Sequence, residues 1–286
     1  MFFSRDLLAG VALPIVVTAA MLLAGWFGLR HRLSARDSRS WAGPLAIGAG
    51  LAAGYWGLFG FGELPPLDAT EWLFLFTPIL LLLGLSDSLA RVPLQFRLVS
   101  IAAGVPASLG LLLWPLLKGN QLDSRPSVLF VAASLALIGW IAAMDALASR
   151  VSAAQLSAIL FCASAPAAVV LLLSGSQRFG QIGGVLAATQ LAGWLVNYML
   201  GPAAVGRGVA LVFGIPFGGL LLSGYCYAEL SLADALLLLA APLAPWVVIL
   251  LSRRFHRLPI VAAQLALVLM PAGSAVVQAM IHFTAE

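Results

Sequence analysis

Ten long apolar stretches follow one another along this chain, separated by short polar connections. A helix needs about 20 apolar residues to cross the ~30 Å hydrocarbon core of a bilayer, and it satisfies its own backbone groups there. The pattern therefore predicts an all-α, polytopic transmembrane helix bundle. The predicted segments, numbered 1 to 10 in chain order, cover residues 7–29, 41–61, 70–90, 98–117, 127–148, 152–175, 180–200, 208–228, 234–252 and 258–281.

Composition supports the same class of protein. The 286 residues are 62% hydrophobic and 9% charged, with a mean hydropathy of +1.04. Soluble domains are about 45–50% apolar and about 25% charged. Ten membrane segments use nearly the whole length, so we expect one integral membrane domain over residues 1–286 and no soluble domain.

Positive charge alternates between the two sets of connections. By the positive-inside rule, the basic connections that follow segments 1, 3, 5, 7 and 9 are cytoplasmic. We therefore expect both termini on the non-cytoplasmic side of a cell membrane, of the inner-membrane kind found in prokaryotes. The net charge of +4 reflects this topology, and no nucleic-acid partner is expected. These connections hold Arg30, Arg32, Arg36, Arg39, Arg91, Arg97, Arg150, Arg207, Arg253, Arg254 and Arg257.

Internal similarity suggests a duplication of helix units. Glycine and proline positions in segments 1–4 recur about 165 residues later in segments 7–10, as in Pro78 and Pro242. This predicts parallel half-repeats over residues 7–117 and 180–281, joined by the helices at 127–175. Two alternatives stay open: five plus five helices in inverted topology, and a chance match in a chain rich in Gly, Ala, Leu and Pro.

Glycines four residues apart mark the helices expected to pack most closely. Gly50 and Gly54 form such a pair in segment 2, and Gly214 and Gly218 form another in segment 8. Small residues at this spacing let a neighbouring backbone approach. Together with the small residues of segments 6 and 7, they predict that segments 2, 6, 7 and 8 form the bundle interior, and that segments 3 and 9 face lipid.

Ionisable residues are nearly absent from the segments, and the best candidates for a functional role are Asp87 and Asp145, each about a turn from a cytoplasmic helix end. Asp87 precedes Arg91 by four residues, so the two side chains share a helix face and can pair. Asp145 and Arg150 stand in a closely similar sequence. Each pair is interpreted either as a gate that opens and closes or as a neutralised interfacial pair that ends a helix.

Uncharged polar residues lie deeper in the segments. Gln190 and Asn197 are seven residues apart and project from one face of segment 7, while Thr18 and Tyr225 lie in segments 1 and 8. Such a set can bind a neutral polar substrate. Buried amides also hold helices together, at about 0.6 kcal/mol each, and this interpretation stays open beside the first.

No catalytic, metal-binding or cofactor-binding motif is present, so no catalytic residue, metal or cofactor is expected. The preferred function is a carrier or flippase-type transporter of a small neutral or amphiphilic solute, with membrane lipids as surroundings. The alternatives are a non-transporting scaffold or subunit that binds a membrane protein partner, and a membrane-embedded lipid-modifying enzyme. A carrier should have a polar cavity touching Gln190 or Asn197, whereas a scaffold should be tightly packed there.

Overall fold

Helices account for all the regular structure in the part of the chain described by the computed structural model, which confirms the predicted all-α bundle. The structure describes residues 6–29, 42–60, 71–72, 78–79, 81–85, 94–114, 116, 125–200, 208–252 and 260–285. The helices are α1 (Leu13–Leu29, preceded by a π-helical turn Leu8–Ala12), α2 (Ala42–Phe59), α3 (Leu94–Leu112), α4 (Arg125–Ala148), α5 (Ala153–Leu173), α6 (Gln177–Leu200), α7 (Val209–Tyr227), α8 (Leu232–Ala240), α9 (Pro245–Ser252) and α10 (Ile260–Ala285).

Seven described helices are long and apolar enough to cross a membrane, or eight if α8 and α9 count as one bent span. The protein is thus a multi-pass membrane protein, although the described spans are fewer than the ten predicted segments. Segment 3 lies largely outside the described residues. Segment 4 corresponds to α3, whose apolar part, Leu98–Leu112, is shorter than expected because the regular helix ends at Leu112.

Burial separates the helices into an interior and a periphery. Between 56% and 78% of the span residues are buried in α2, α5, α6 and α7, against 22% to 28% in α1, α4 and α10. The interior helices are the four that the small-residue pattern predicts. The most extensive helix interface joins α5 and α6, and α6 in turn packs on α1 and α2.

Local signals define the α5–α6 hairpin. The Ser152 side chain accepts a hydrogen bond from the Gln155 backbone N–H, and the Gln155 side chain accepts one from the Ser152 N–H. This capping box satisfies two donors that the first turn leaves free. After α5, Gly175 adopts φ of +85°, a conformation that costs little only in glycine. The turn therefore brings α6 directly back along α5.

The two glycine pairs contact different helices. A methyl group added at Gly54 would lie 2.5 Å from Val185 of α6, and one added at Gly218 would lie 2.6 Å from Leu137 of α4. Each pair thus permits a close approach, but α2 packs through its pair on α1 and α6, whereas α7 packs on α4. The predicted half-repeats stay a prediction, as do their boundaries.

Segment 9 is broken in its middle. A 3-10 turn, Ala241–Leu243, separates α8 from α9, which are bent by 42° relative to each other. Pro242 and Pro245 have no backbone N–H, so two carbonyls lose their helical donor. One of them, the Ala241 carbonyl, accepts a bond of 3.1 Å from the Ala244 N–H instead. The break therefore tightens the helix locally and redirects it.

Candidate functional site

An apolar groove of about 220 Å³ lies between α3, α4, α7 and α8. On each helix the lining residues recur every three or four positions, so they form one stripe that faces the groove. Small side chains on α4 and α7 leave the space open. The lining residues are Leu109, Leu129, Ala132, Ala133, Ala136, Leu137, Gly218, Leu221, Leu222, Tyr225, Leu232, Ala235, Leu236 and Leu239.

The groove occupies one half of the bundle's depth. It begins where α7 ends and α8 begins, near Tyr225 and Leu232, and reaches Leu239, the residue just before the break in segment 9. Ala136, Leu236 and Tyr225 are exposed on the bundle surface as well as lining the groove. A hydrophobic molecule therefore has access from the surface that the bundle presents to lipid.

Two tryptophans, one in α4 and one in α9, hold the broken segment 9 against α4. Trp140 of α4 donates its indole N–H to the Leu239 carbonyl at 2.7 Å, and Trp246 of α9 donates to the Ala143 carbonyl at 3.2 Å. These bonds run in opposite directions between α4 and the two halves of segment 9. They fix the bend at the deep end of the groove.

Aromatic stacking supports the deep end from the side of α7. The Trp140 ring stacks on Phe213 and Phe217, with centroids 6.3 Å and 6.1 Å apart, and these two phenylalanines stack at 5.1 Å. All three are buried. Such aromatic pairs contribute about 0.5–1.5 kcal/mol each beyond their buried area. This buried aromatic cluster therefore lies behind the deep end of the groove, whose own lining there is aliphatic.

Two of the predicted substrate-binding residues lie elsewhere. Gln190 and Asn197 follow Gly183 at intervals of seven residues, and Gly183 is in close contact with Ala168 of α5. Both amides therefore lie on the α6 face that packs on α5. Neither lines any of the three principal cavities of the described ranges. Their proposed contact with a substrate stays a prediction.

Hydrogen bonding at the two amides is incomplete. The Asn197 side chain donates to the Gly193 carbonyl at 2.7 Å, while its oxygen accepts no bond from the part of the chain described. Neither polar atom of the Gln190 side chain has a partner among the same residues, although this side chain is fully buried. A buried amide without partners costs free energy. The amides are thus only weak helix connectors.

The other two predicted substrate-binding residues, Thr18 and Tyr225, lie in different surroundings. Thr18 is fully buried where α1 meets α2, because its hydroxyl occupies the space left by Gly50. Tyr225 lines the shallow end of the groove. The structure therefore brings Gly218 and Tyr225 to one site, whereas Thr18 lies in a helix interface.

The predicted gate pairs are only partly described. Asp87 and Arg91 lie outside the described residues. Asp145 is partly buried in the last turn of α4. Arg150 lies over the ring of Trp246, with its guanidinium carbon 4.5 Å from the ring centroid. This cation–π contact, worth about 0.5–1 kcal/mol at an exposed site, links the end of α4 to α9.

Sequence reasoning missed the groove because apolar residues dominate its lining. The available signals were the two prolines of segment 9 and the alanines of segment 5, which recur at Ala132, Ala133 and Ala136. Within the described ranges, no group of three or more His, Cys, Asp or Glu side chains is arranged to hold a metal ion. Comparisons with protein-family models, with curated proteins and with solved structures found no match.

Proposed function

We propose that this protein is a carrier of a small amphiphilic, lipid-like solute that enters the apolar groove from the bilayer. The observation that carries the proposal is the groove's position: it runs from one end of the bundle to a break at the middle of segment 9. Interrupted helices near the bilayer midplane are a recurring feature of transporter binding sites.

The lining determines the class of solute. Apart from Tyr225, the side chains of the groove are aliphatic, and the Tyr225 hydroxyl is their one polar group. A charged or strongly polar solute would lose its hydration there without gaining hydrogen bonds. The volume of about 220 Å³ is below the ~300–1,000 Å³ of typical ligand sites, so it suits one alkyl chain or ring and not a complete two-chain lipid.

The scaffold is the second candidate, and one observation favours it. The face of α6 with Gln190 and Asn197 is packed against α5, as expected of a protein that does not move a polar solute through that interface. The proposed carrier avoids this conflict because its solute never reaches α5 or α6. The two candidates therefore differ in the role of the groove, which holds a solute in the carrier and holds none in the scaffold.

Filling the groove tests the carrier. The purified protein is reconstituted into liposomes with a single-chain lipid labelled by a dithionite-sensitive fluorophore, and the fraction bleached over time reports movement between leaflets. Ala136→Phe places a ring in the groove, and Ala142→Phe places the same ring on an exposed, non-lining part of α4. We expect Ala136→Phe to slow bleaching about tenfold, equivalent to about 1.4 kcal/mol of lost solute binding, because the ring takes up space that the solute would occupy.

The control and the empty liposomes decide the outcome. Ala142→Phe should bleach at the wild-type rate. If the lipid probe bleaches no faster in liposomes with wild-type protein than in protein-free liposomes, the carrier is contradicted for this class of probe and the scaffold is favoured. Equal rates for wild type and Ala136→Phe would show that movement does not use the groove.

A further inference from the structure

A second cavity, of about 230 Å³, lies where α5, α8 and α10 meet. It differs from the groove in chemistry, because carboxylates, hydroxyls and an imidazole line it. The connection between α7 and α8 forms one side and is held to α5 by a bond of 3.0 Å from the Glu229 N–H to the Ser174 carbonyl. The polar lining residues are Ser174, Glu229, Ser231, Asp234 and His282.

Asp234 is the most deeply placed of these groups, with 3% of its surface exposed. Ser231 precedes α8 and caps it: its hydroxyl accepts from the Asp234 N–H at 3.1 Å and donates to Asp234 Oδ2 at 2.7 Å. Asp234 Oδ1 is buried and accepts no hydrogen bond from the described residues. The helix N-terminus offsets part of the carboxylate charge, but one oxygen still lacks a donor.

This oxygen lacks a hydrogen-bond donor, and a positively charged donor would also balance the carboxylate charge. A buried carboxylate is retained at a site when it is paired with positive charge or hydrogen-bonded donors. Glu229 adds a second carboxylate, so the lining is acidic even with His282 at the rim. A metal ion is disfavoured, because no group of three metal-binding side chains is found among the described residues.

Apolar side chains in the same cavity narrow the choice of cation. Val170, Leu173 and Phe283 lie beside the polar groups. A primary ammonium on a short carbon chain matches this mixture, since it carries three N–H donors while its carbons pack on aliphatic and aromatic groups. Charge-assisted bonds of this kind are about twice as strong as neutral ones.

We propose that the cavity beside Asp234 binds a primary ammonium group, with Asp234 as its buried acceptor and Glu229 as a second carboxylate at the rim. The group is supplied either by a free amine or by the headgroup of an aminophospholipid. The site lies on a different face of α8 from the groove, and the proposal does not depend on the carrier function.

Thermal unfolding of the full-length protein tests the proposal in two arms. In the first, detergent-purified protein is unfolded in ethylammonium chloride and in sodium chloride at the same ionic strength. In the second, nanodiscs of phosphatidylethanolamine are compared with nanodiscs of phosphatidylcholine that have the same acyl chains. At ligand concentrations well above the dissociation constant, binding should raise the unfolding temperature by roughly 5 °C.

Matched carboxylate variants locate the effect. Asp234→Asn keeps an acceptor for the Ser231 hydroxyl but removes the charge, and should weaken ethylammonium binding about tenfold or more. Glu229 is exposed, so Glu229→Gln preserves the fold and should weaken binding several-fold even if Asp234→Asn does not purify. Asp6→Asn removes a carboxylate outside this cavity and should leave the shift unchanged.

Each outcome has a defined meaning. A shift with ethylammonium that both cavity variants reduce supports a free amine, and a shift in phosphatidylethanolamine alone that they reduce supports the headgroup. The proposal is overturned if neither arm shifts the unfolding temperature beyond its reference. It is also overturned if the cavity variants respond as wild type does, because the amine then acts elsewhere.

Discussion

Single residues set how closely the helices of this bundle approach. At Gly50 a methyl group would overlap the Thr18 hydroxyl and lie 2.8 Å from Thr189 Cγ2. At Gly139 the same group would meet nothing within 4 Å. Where the bilayer replaces water, dispersion between such closely packed surfaces is a main source of helix association. The stability of the interior therefore depends on particular missing side chains.

Alanine substitution at these two glycines gives a direct test. Gly50→Ala should lower the free energy of unfolding by about 1–3 kcal/mol, because α1 or α6 must move to admit the methyl group. Gly139→Ala adds the same atoms to the middle of α4 without a contact, and should leave stability unchanged or raise it by up to about 1 kcal/mol, because alanine favours a helix over glycine. Reversible denaturant titration in micelles measures both. Equal changes at the two positions would contradict this packing.

Residue spacing predicted faces better than it predicted neighbours. Glycines four apart in segments 2 and 8 indicated close contacts, and the structure has them at Gly54 and Gly218. The seven-residue spacing of Gln190 and Asn197 placed both on one face of a helix, but spacing within one helix cannot say whether that face meets a cavity or another helix. Here that face meets α5, and the substrate contact predicted for the two amides stays a prediction.

Among the elements, segment 9 depends most on its neighbours. Its two halves are tied to α4 by the indoles of Trp140 and Trp246. In an apolar environment a bond to a backbone carbonyl beside a helix break is not replaced by water when it is removed. The bend in segment 9 is therefore stabilised by α4.

Removing one indole donor tests the element. Trp140→Phe keeps the aromatic ring against Phe213 but cannot donate to Leu239, and we expect a loss of about 1–3 kcal/mol in unfolding free energy. Faster hydrogen exchange should be confined to α8 and α9. Trp194→Phe is the control, since Trp194 stacks on Phe161 in the α5–α6 interface. Unchanged exchange in α8 and α9 after Trp140→Phe would refute the role of this bond.

The break in segment 9 follows from its two prolines, a signal that the sequence itself contains. The groove beside it was not predictable in the same way. It needs α3, α4, α7 and α8 to come together, and Leu109 and Leu232 are more than 100 residues apart in sequence. Apolar lining residues are indistinguishable in sequence from those that face lipid, so only the packing of helices identifies them.

At the scale of the whole molecule, charge asymmetry predicts an orientation. Arg150 follows α4, on the side proposed to be cytoplasmic, and Gln177 lies at the opposite end of α5. A transmembrane helix places its two ends in different compartments. The proposed outward position of both termini therefore requires Gln177 to face outward.

Cysteine labelling in intact cells checks this orientation. Cys162 and Cys226 are first replaced by alanine, and one cysteine is then introduced by Ser149→Cys or by Gln177→Cys. A membrane-impermeant maleimide should label Gln177→Cys directly, and Ser149→Cys only after the membrane is permeabilised, because the two positions flank one spanning helix. The reverse pattern would invert the proposed orientation, while direct labelling of both would contradict a span at α5.

The position of α8 has a geometric consequence. Leu232 and Leu239 line the apolar groove, while Ser231 and Asp234 line the polar cavity. This short helix thus separates the apolar groove from the acidic cavity and lines both. A sideways displacement of α8 would therefore change the volumes of both spaces at once and in opposite directions.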